Sequence, residues 1–460
     1  MFLPISDMKS ALKSRIAMLN KQGFDTAKWS EQLDTTADSY DAVYDFAKSM
    51  NSTIKYRADF PYSEPDGIEE IRRARPDNRR DVINGYISDI EVKDKTYGGV
   101  IGRMLGCVLG KPLEVSWDLP RIRAYLEGAD AWPLCDFVPA HSTANVGQLR
   151  RDCADSMKGF VRHVQQDDDI NYLVLGLNLL EYYGCGFTTQ DSGKNWVNNI
   201  PFHWTWGPEH TVYGQLAQYL VINHNRPLPE GAAWDEFRDF INSGEEIIGA
   251  MIRGDAFGLV NPGRTALAAE MAWRDGILTH KKTGLYSEMW VAASIAAAYY
   301  ERDPVKVVQA GIDQLPANSR YAECLREALQ ISIEAADWYS AWEKINAKWG
   351  HLGHAGTMNE SAGIINALIN STDRYFNVDF EKVICTTVMQ GWDTDCSGAT
   401  AGCIAGVMCG LDGIPEKWSS KLNDKFYSCV AGERESSIAK FSERMYQMIR
   451  ITREYAANQR

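Results

Sequence analysis

Glycine recurs at every fourth position in two stretches of this chain: Gly98, Gly102, Gly106 and Gly110, then Gly398, Gly402, Gly406 and Gly410. That spacing puts each set on one face of an α-helix, because residues three and four apart lie above one another. Every interior glycine weakens a helix by about 1 kcal/mol relative to alanine. Repeated use needs a compensating gain in packing, which missing side chains supply by letting another backbone approach closely. The two stretches predict central helices that sit unusually close together.

The remaining pattern is also helical. Ile170, Leu173, Val174, Leu177 and Leu180 follow the i, i+3, i+4, i+7 rule, and the stretches from Ala266 to Trp273 and from Val291 to Tyr300 read as buried, alanine-rich helices. No sustained period-2 alternation is present. From Ser6 to about Met50, Ala11, Leu12, Ile16 and Leu19 form a helical stripe, and the proline-, glycine- and charge-rich run from Arg57 to Gly67 reads as a loop. The expected fold is all-α, a compact orthogonal helical bundle over 91–460 preceded by an N-terminal helical extension over 1–90.

With 460 residues, 45% apolar and 24% charged, the chain can bury a large core. The net charge of -13 argues against a nucleic-acid partner, which would call for basic patches. No apolar run approaches the roughly 20 residues needed to span a bilayer, so no membrane partner is expected. The start lacks the basic and apolar regions of a secretory signal. The ten cysteines are scattered singly, as suits reduced thiols, and a cytoplasmic location is expected.

Two acid clusters carry the chemistry. Gln166-Asp167-Asp168-Asp169 opens one apolar helical stretch, and Asp393-Thr394-Asp395-Cys396 opens the second glycine stretch. Carboxylates packed so densely repel one another unless cations or backbone N–H groups compensate. One bland role is available to each, because negative side chains are favoured at helix N-termini and one of them can cap. One cap is enough for one helix, however, and aspartate oxygens are the ligands that hard divalent cations prefer. The clusters are expected to converge in the fold as two halves of one metal site.

Taken together, the first glycine helix ending Gly110-Lys111-Pro112-Leu113-Glu114, the Asp167-Asp168 pair and the segment from Gly391 to Gly410 resemble the ADP-ribosylglycohydrolase family, also called the dinitrogenase-reductase-activating glycohydrolase or J1-crystallin family. The resemblance covers roughly residues 95–415. It implies an all-α hydrolase with two metal ions, Mg²⁺ or Mn²⁺, that cleaves the glycosidic bond at the anomeric carbon of ADP-ribose. Residue by residue, Asp167, Asp168, Asp393 and Asp395 match the metal ligands, and Glu114 matches the acidic residue ending the first motif. The chain departs from the family pattern at Gln166 and Asp169, which replace threonines, at Cys107, which replaces an aspartate, and at Cys396, which replaces a threonine. A hard ion prefers oxygen to a thiol, so Cys396 is not expected to ligate.

The resemblance makes Glu114 and Asp168 the candidate catalytic carboxylates, Glu114 as the proton carrier. His280 and His354 are candidate substrate contacts or proton carriers. Trp204 and Trp206, within His203-Trp204-Thr205-Trp206, offer rings that can stack on a base or sugar. Arg264, after Asn261-Pro262-Gly263, offers a cation for phosphate. The expected partner is a small-molecule or protein-linked glycoside. Two alternatives stay open: another small glycoside cleaved at the same metal site, or a non-catalytic binding or structural member of the fold.

Overall fold

A computed structural model describes residues 4–223 and 232–458. It is all-α apart from one antiparallel two-stranded ribbon among the described residues, Lys425–Tyr427 with Glu435–Ser437. The absence of period-2 alternation gave no sign of that ribbon, whose strands are too short to show a period.

At the centre lie the helices Asp89–Gly110 and Thr394–Cys409, packed antiparallel along their glycine faces. A Cβ added at Gly98, Gly102 or Gly106 would collide with the carbonyl oxygen of Gly406, Gly402 or Gly398 respectively. Each step of four up one helix is a step of four down the other, so the two glycine faces are mutual. The same register sets the end of the first helix against the start of the second, where Thr394 Oγ1 donates to Gly110 O at 2.8 Å. At the opposite end, buried Lys95 donates to Val407 O at 3.1 Å and Met408 O at 3.2 Å, satisfying carbonyls that a helix C-terminus leaves open.

Around this pair the apolar helices form one continuous core. Asp168–Tyr183 starts where Asp167 caps it and stops at Gly184, whose φ of +75° suits glycine. Lys282–Ala298 is buried along its whole length, and Thr265–Gly276 and Thr357–Asn370 pack beside it. Among the described residues no helix is long and apolar enough to cross a membrane.

The N-terminal helices Ile5–Lys21, Ala27–Thr35 and Tyr40–Thr53 bury a small core of their own, including Leu12, Trp29, Leu33, Val43 and Met50. Charge ties this unit to the larger body. Buried Arg15 meets Glu245 at 3.1 Å, and Glu64, in the loop that follows, meets Arg320 at 2.6 Å.

Candidate metal centre

The glycine register brings the ends of both motifs together. Sγ of Cys396 and carboxylate oxygens of Asp169 and Asp395 lie within 4.8 Å of one another, so the two acid clusters converge although 226 positions separate Asp167 from Asp393. Ligand atoms of Cys107, Asp167 and Asp169 form a second such group, and those of Glu114, His354 and Asp393 a third.

Beside them opens a cavity of about 290 Å³. Asp168, Asp393 and Cys396 reach its wall from the acid clusters, Glu114 and Arg150 from one side, and Tyr172, Trp206, Ile248 and His354 from the others. Strained backbone borders it. Val115, Ser116 and Trp392 hold φ values of 63°, 66° and 70°, a region that costs non-glycine residues of order 1–3 kcal/mol each and is found where surrounding structure enforces it. Trp392 is held there by its N–H on Trp117 O at 2.9 Å.

The first cluster is answered by protein cations. Lys111 Nζ lies 2.6 Å from Asp167 Oδ2 and 3.0 Å from Gln166 O, while Asp167 Oδ1 accepts the Asp169 N–H at 3.2 Å as the helix cap. Burial works to raise Asp167, but the Lys111 ammonium, Arg150 and a hydrogen bond from Asp168 together hold the carboxyl below its usual range. Arg103, fully buried, reaches Asp169 Oδ1 at 3.0 Å and Asp255 at 2.9 Å.

The second cluster has no such partner. Asp393 stands at the N-cap position but makes no capping bond, and the Oδ1 atoms of both Asp393 and Asp395 lack a hydrogen-bond donor. Glu360 lies behind them, accepting the Asp393 N–H at 2.8 Å on Oε1 and leaving Oε2 without a donor. Among the described residues no lysine or arginine comes within 4.0 Å of Asp393, Asp395 or Glu360; His354 Nδ1 is 3.7 Å from Asp393. Burial pushes Asp393 up to about 6. Burial, then the charges of Asp167 and Asp393, lift Asp395 well above the ordinary carboxylate range, and burial followed by Asp393 does the same to Glu360. Clustered, buried, donor-poor oxygens of this kind match what a hard divalent cation takes as ligands, so the residues present fit a metal ion.

The other expected site residues divide. His354 and Trp206 face the cavity. His280 does not: it is fully buried, with Nδ1 2.8 Å from Thr279 Oγ1 and Nε2 3.7 Å from Glu209. Trp204 packs on the core and is not among the cavity residues. The turn holding Asn261 and Gly263 is buried, Gly263 donating to Ala296 O at 2.8 Å, away from the cavity.

Three participants carried no sequence signal of their own. Arg150 forms an ion pair with Glu114. Glu360 sits in the first turn of the Thr357–Asn370 helix, where an acidic residue is ordinary. Glu209 lines the cavity, braced by Arg253 at 2.8 Å, and burial pushes its carboxyl up to about 7.

One solved structure, described as an ADP-ribosylglycohydrolase-related protein complex, aligns with 79% of this chain and 99% of its own at 16% identity and a TM-score of 0.47. The ADP-ribosyl-[dinitrogen reductase] glycohydrolase of Rhodospirillum rubrum is 42% identical over 66 residues, 14% of this chain and 22% of that protein. The matched segment thus spans about a fifth of that relative's length. The family model described as ADP-ribosylglycohydrolase matches residues 88–453, most of the chain and both acid clusters. The chain belongs to the ADP-ribosylglycohydrolase family.

Proposed function

We propose that this protein is a metal-dependent hydrolase that cleaves the glycosidic bond at the anomeric carbon of an ADP-ribosyl or related ribosyl substrate. The observation that carries the reading is a set of buried carboxylates, Asp393, Asp395 and Glu360, each with one oxygen that has no donor among the described residues, next to a cavity that Asp168 also faces. A protein that used these aspartates only as helix caps would have no reason to leave Asp393 uncapping.

Asp168, Asp393 and Asp395 would hold Mg²⁺ or Mn²⁺. An ion held there would supply charge to orient the sugar hydroxyls and make a water more acidic. The chain's own groups do the rest. Glu114, ion-paired with Arg150, accepts the proton of the attacking water. Glu209, whose carboxyl burial pushes up to about 7, can carry a proton near neutral pH on the same cavity wall. Tyr172, Ile248 and Trp206 supply an apolar wall against which a ribose or base can lie. Residues 1–90 are a helical extension to a catalytic body of 91–460, a division supported by the separate core of the first three helices.

The test is a panel of ADP-ribosylated proteins, free ADP-ribosyl esters and simple glycosides, incubated with protein and Mg²⁺ or Mn²⁺. Release of ADP-ribose that stops with a chelator and returns with metal is the expected result. Equal turnover in metal-free protein would sink the metal dependence, and release from simple glycosides alone would move the substrate class.

A further inference from the structure

Lys111 puts a fixed positive charge inside the acid cluster, 2% exposed and 2.6 Å from Asp167. Both oxygens of Asp167 are thereby engaged, one by this ammonium and one by the Asp169 N–H. Asp169 meets Arg103 through Oδ1, and its Oδ2 has no donor among the described residues. An ion seated on Asp167 would sit next to the buried ammonium, where low polarity strengthens the repulsion between like charges. On the other half of the cluster, Asp393, Asp395 and Glu360 have no lysine or arginine within 4.0 Å among the described residues, and two unpartnered Oδ1 atoms lie there. The carboxylates with no lysine or arginine beside them, among the described residues, are therefore Asp168, Asp393, Asp395 and Glu360, while Asp167 and Asp169 each have one.

We propose that the site holds one divalent ion, on the Asp168, Asp393 and Asp395 side, and that the Lys111 ammonium stands in place of a second. This rests on the metal-dependent reading above and narrows the two-ion expectation that came with the family resemblance. Lys111 is then a positioning residue. It fixes Asp167, and through the Asp167 cap it fixes the start of the Asp168–Tyr183 helix from which Asp168 projects.

The test is the metal content of the full chain, stripped with chelator, loaded with Mn²⁺ and freed of loose ion. Elemental analysis should give one manganese per chain, and electron paramagnetic resonance should give the hyperfine-resolved signal of an isolated Mn²⁺. Lys111→Ala and Lys111→Met, the latter keeping most of the buried stem, should take up a second ion and show the spectrum of a coupled pair. Two ions in the parent chain would overturn the inference and leave metal dependence standing. No bound ion would overturn both. Folded variants that still hold one ion would show that Lys111 is not what excludes the second, and if neither variant folds, the parent ratio and spectrum still decide.

Discussion

At the start of the Asp168–Tyr183 helix, Asp167 caps the backbone and is paired with Lys111, whereas at the start of the Thr394–Cys409 helix, Asp393 makes no capping bond and has no lysine or arginine within 4.0 Å among the described residues. The two stretches are alike in composition and in their place before a helix. What separates them is counter-charge supplied by distant parts of the chain. A carboxylate with a protein cation beside it serves the fold, and a buried carboxylate without one is kept for something the protein must bind. On this contrast rests the proposal that much of the first cluster serves the fold and that the second holds the ion.

The largest effect expected of breaking that contrast is on stability, at Asp167. Asp167→Ala removes the cap and strands the Lys111 ammonium in the interior, and losing one partner of a buried ion pair typically costs about 3–5 kcal/mol. Urea unfolding of the metal-free protein measures it; a loss below about 1 kcal/mol would place Asp167 with the ligand carboxylates instead. Asp395→Asn should do the reverse. It keeps the volume of the side chain while deleting a charge that its neighbours already disfavour, so the metal-free protein should melt no lower than the parent. Hydrolysis at saturating Mn²⁺ should nevertheless fall by more than about 100-fold, the upper end of what outer groups around a metal contribute. Unchanged turnover would make Asp395 dispensable to the site.

Titration sharpens the same comparison. Asp393 has its folded pKa raised from 3.8 to about 6, so the folded state holds its proton more tightly than the unfolded state does. That raised group lowers the stability of the metal-free protein as pH climbs from about 4 to 6. Asp167, held below its usual range, contributes stability that is present above about pH 4 and lost as pH falls further. Asp393→Asn should therefore melt like the metal-free parent near pH 4 and above it by pH 7, by an amount worth about 1–3 kcal/mol. A gap that shrinks as pH rises would have the wrong sign for a carboxylate crowded by burial.

Much of this was legible in the sequence because it depended on spacing. Glycine at every fourth position announced two close-packed helices, and the paired aspartates marked the start of two helices and their convergence. Neighbours brought in by the fold were not legible. Nothing local to Lys111 says that it will reach Asp167, and nothing local to Glu360 says that it will hold the Asp393 N–H from 33 positions away. The same limit misplaced His280 and Trp204, whose surroundings in the chain look like those of His354 and Trp206, but which the packing of Glu209, Thr279 and the core takes out of the cavity.

A smaller effect tests whether the glycine register is what joins the clusters. Gly102→Ala sets a Cβ against the backbone of Gly402, a contact that no side-chain movement can relieve. Overpacking of this kind costs about 1–3 kcal/mol. The two helices should also splay, so Mn²⁺ affinity should fall together with thermal stability. Loss of stability with full affinity retained would mean that the metal centre does not depend on the pairing.

The most direct test of the account is the rise in melting temperature that Mn²⁺ produces in three proteins: the parent, Asp167→Asn, and the double variant Asp393→Asn/Asp395→Asn. A ligand that binds only the folded state stabilises it by about 2.7 kcal/mol at a hundred times its Kd. The parent should show a rise of that order, Asp167→Asn should start lower and still rise, and the double variant should start no lower than the parent and not rise at all. A double variant that Mn²⁺ stabilises as much as the parent would contradict the assignment of the second cluster as the metal ligands.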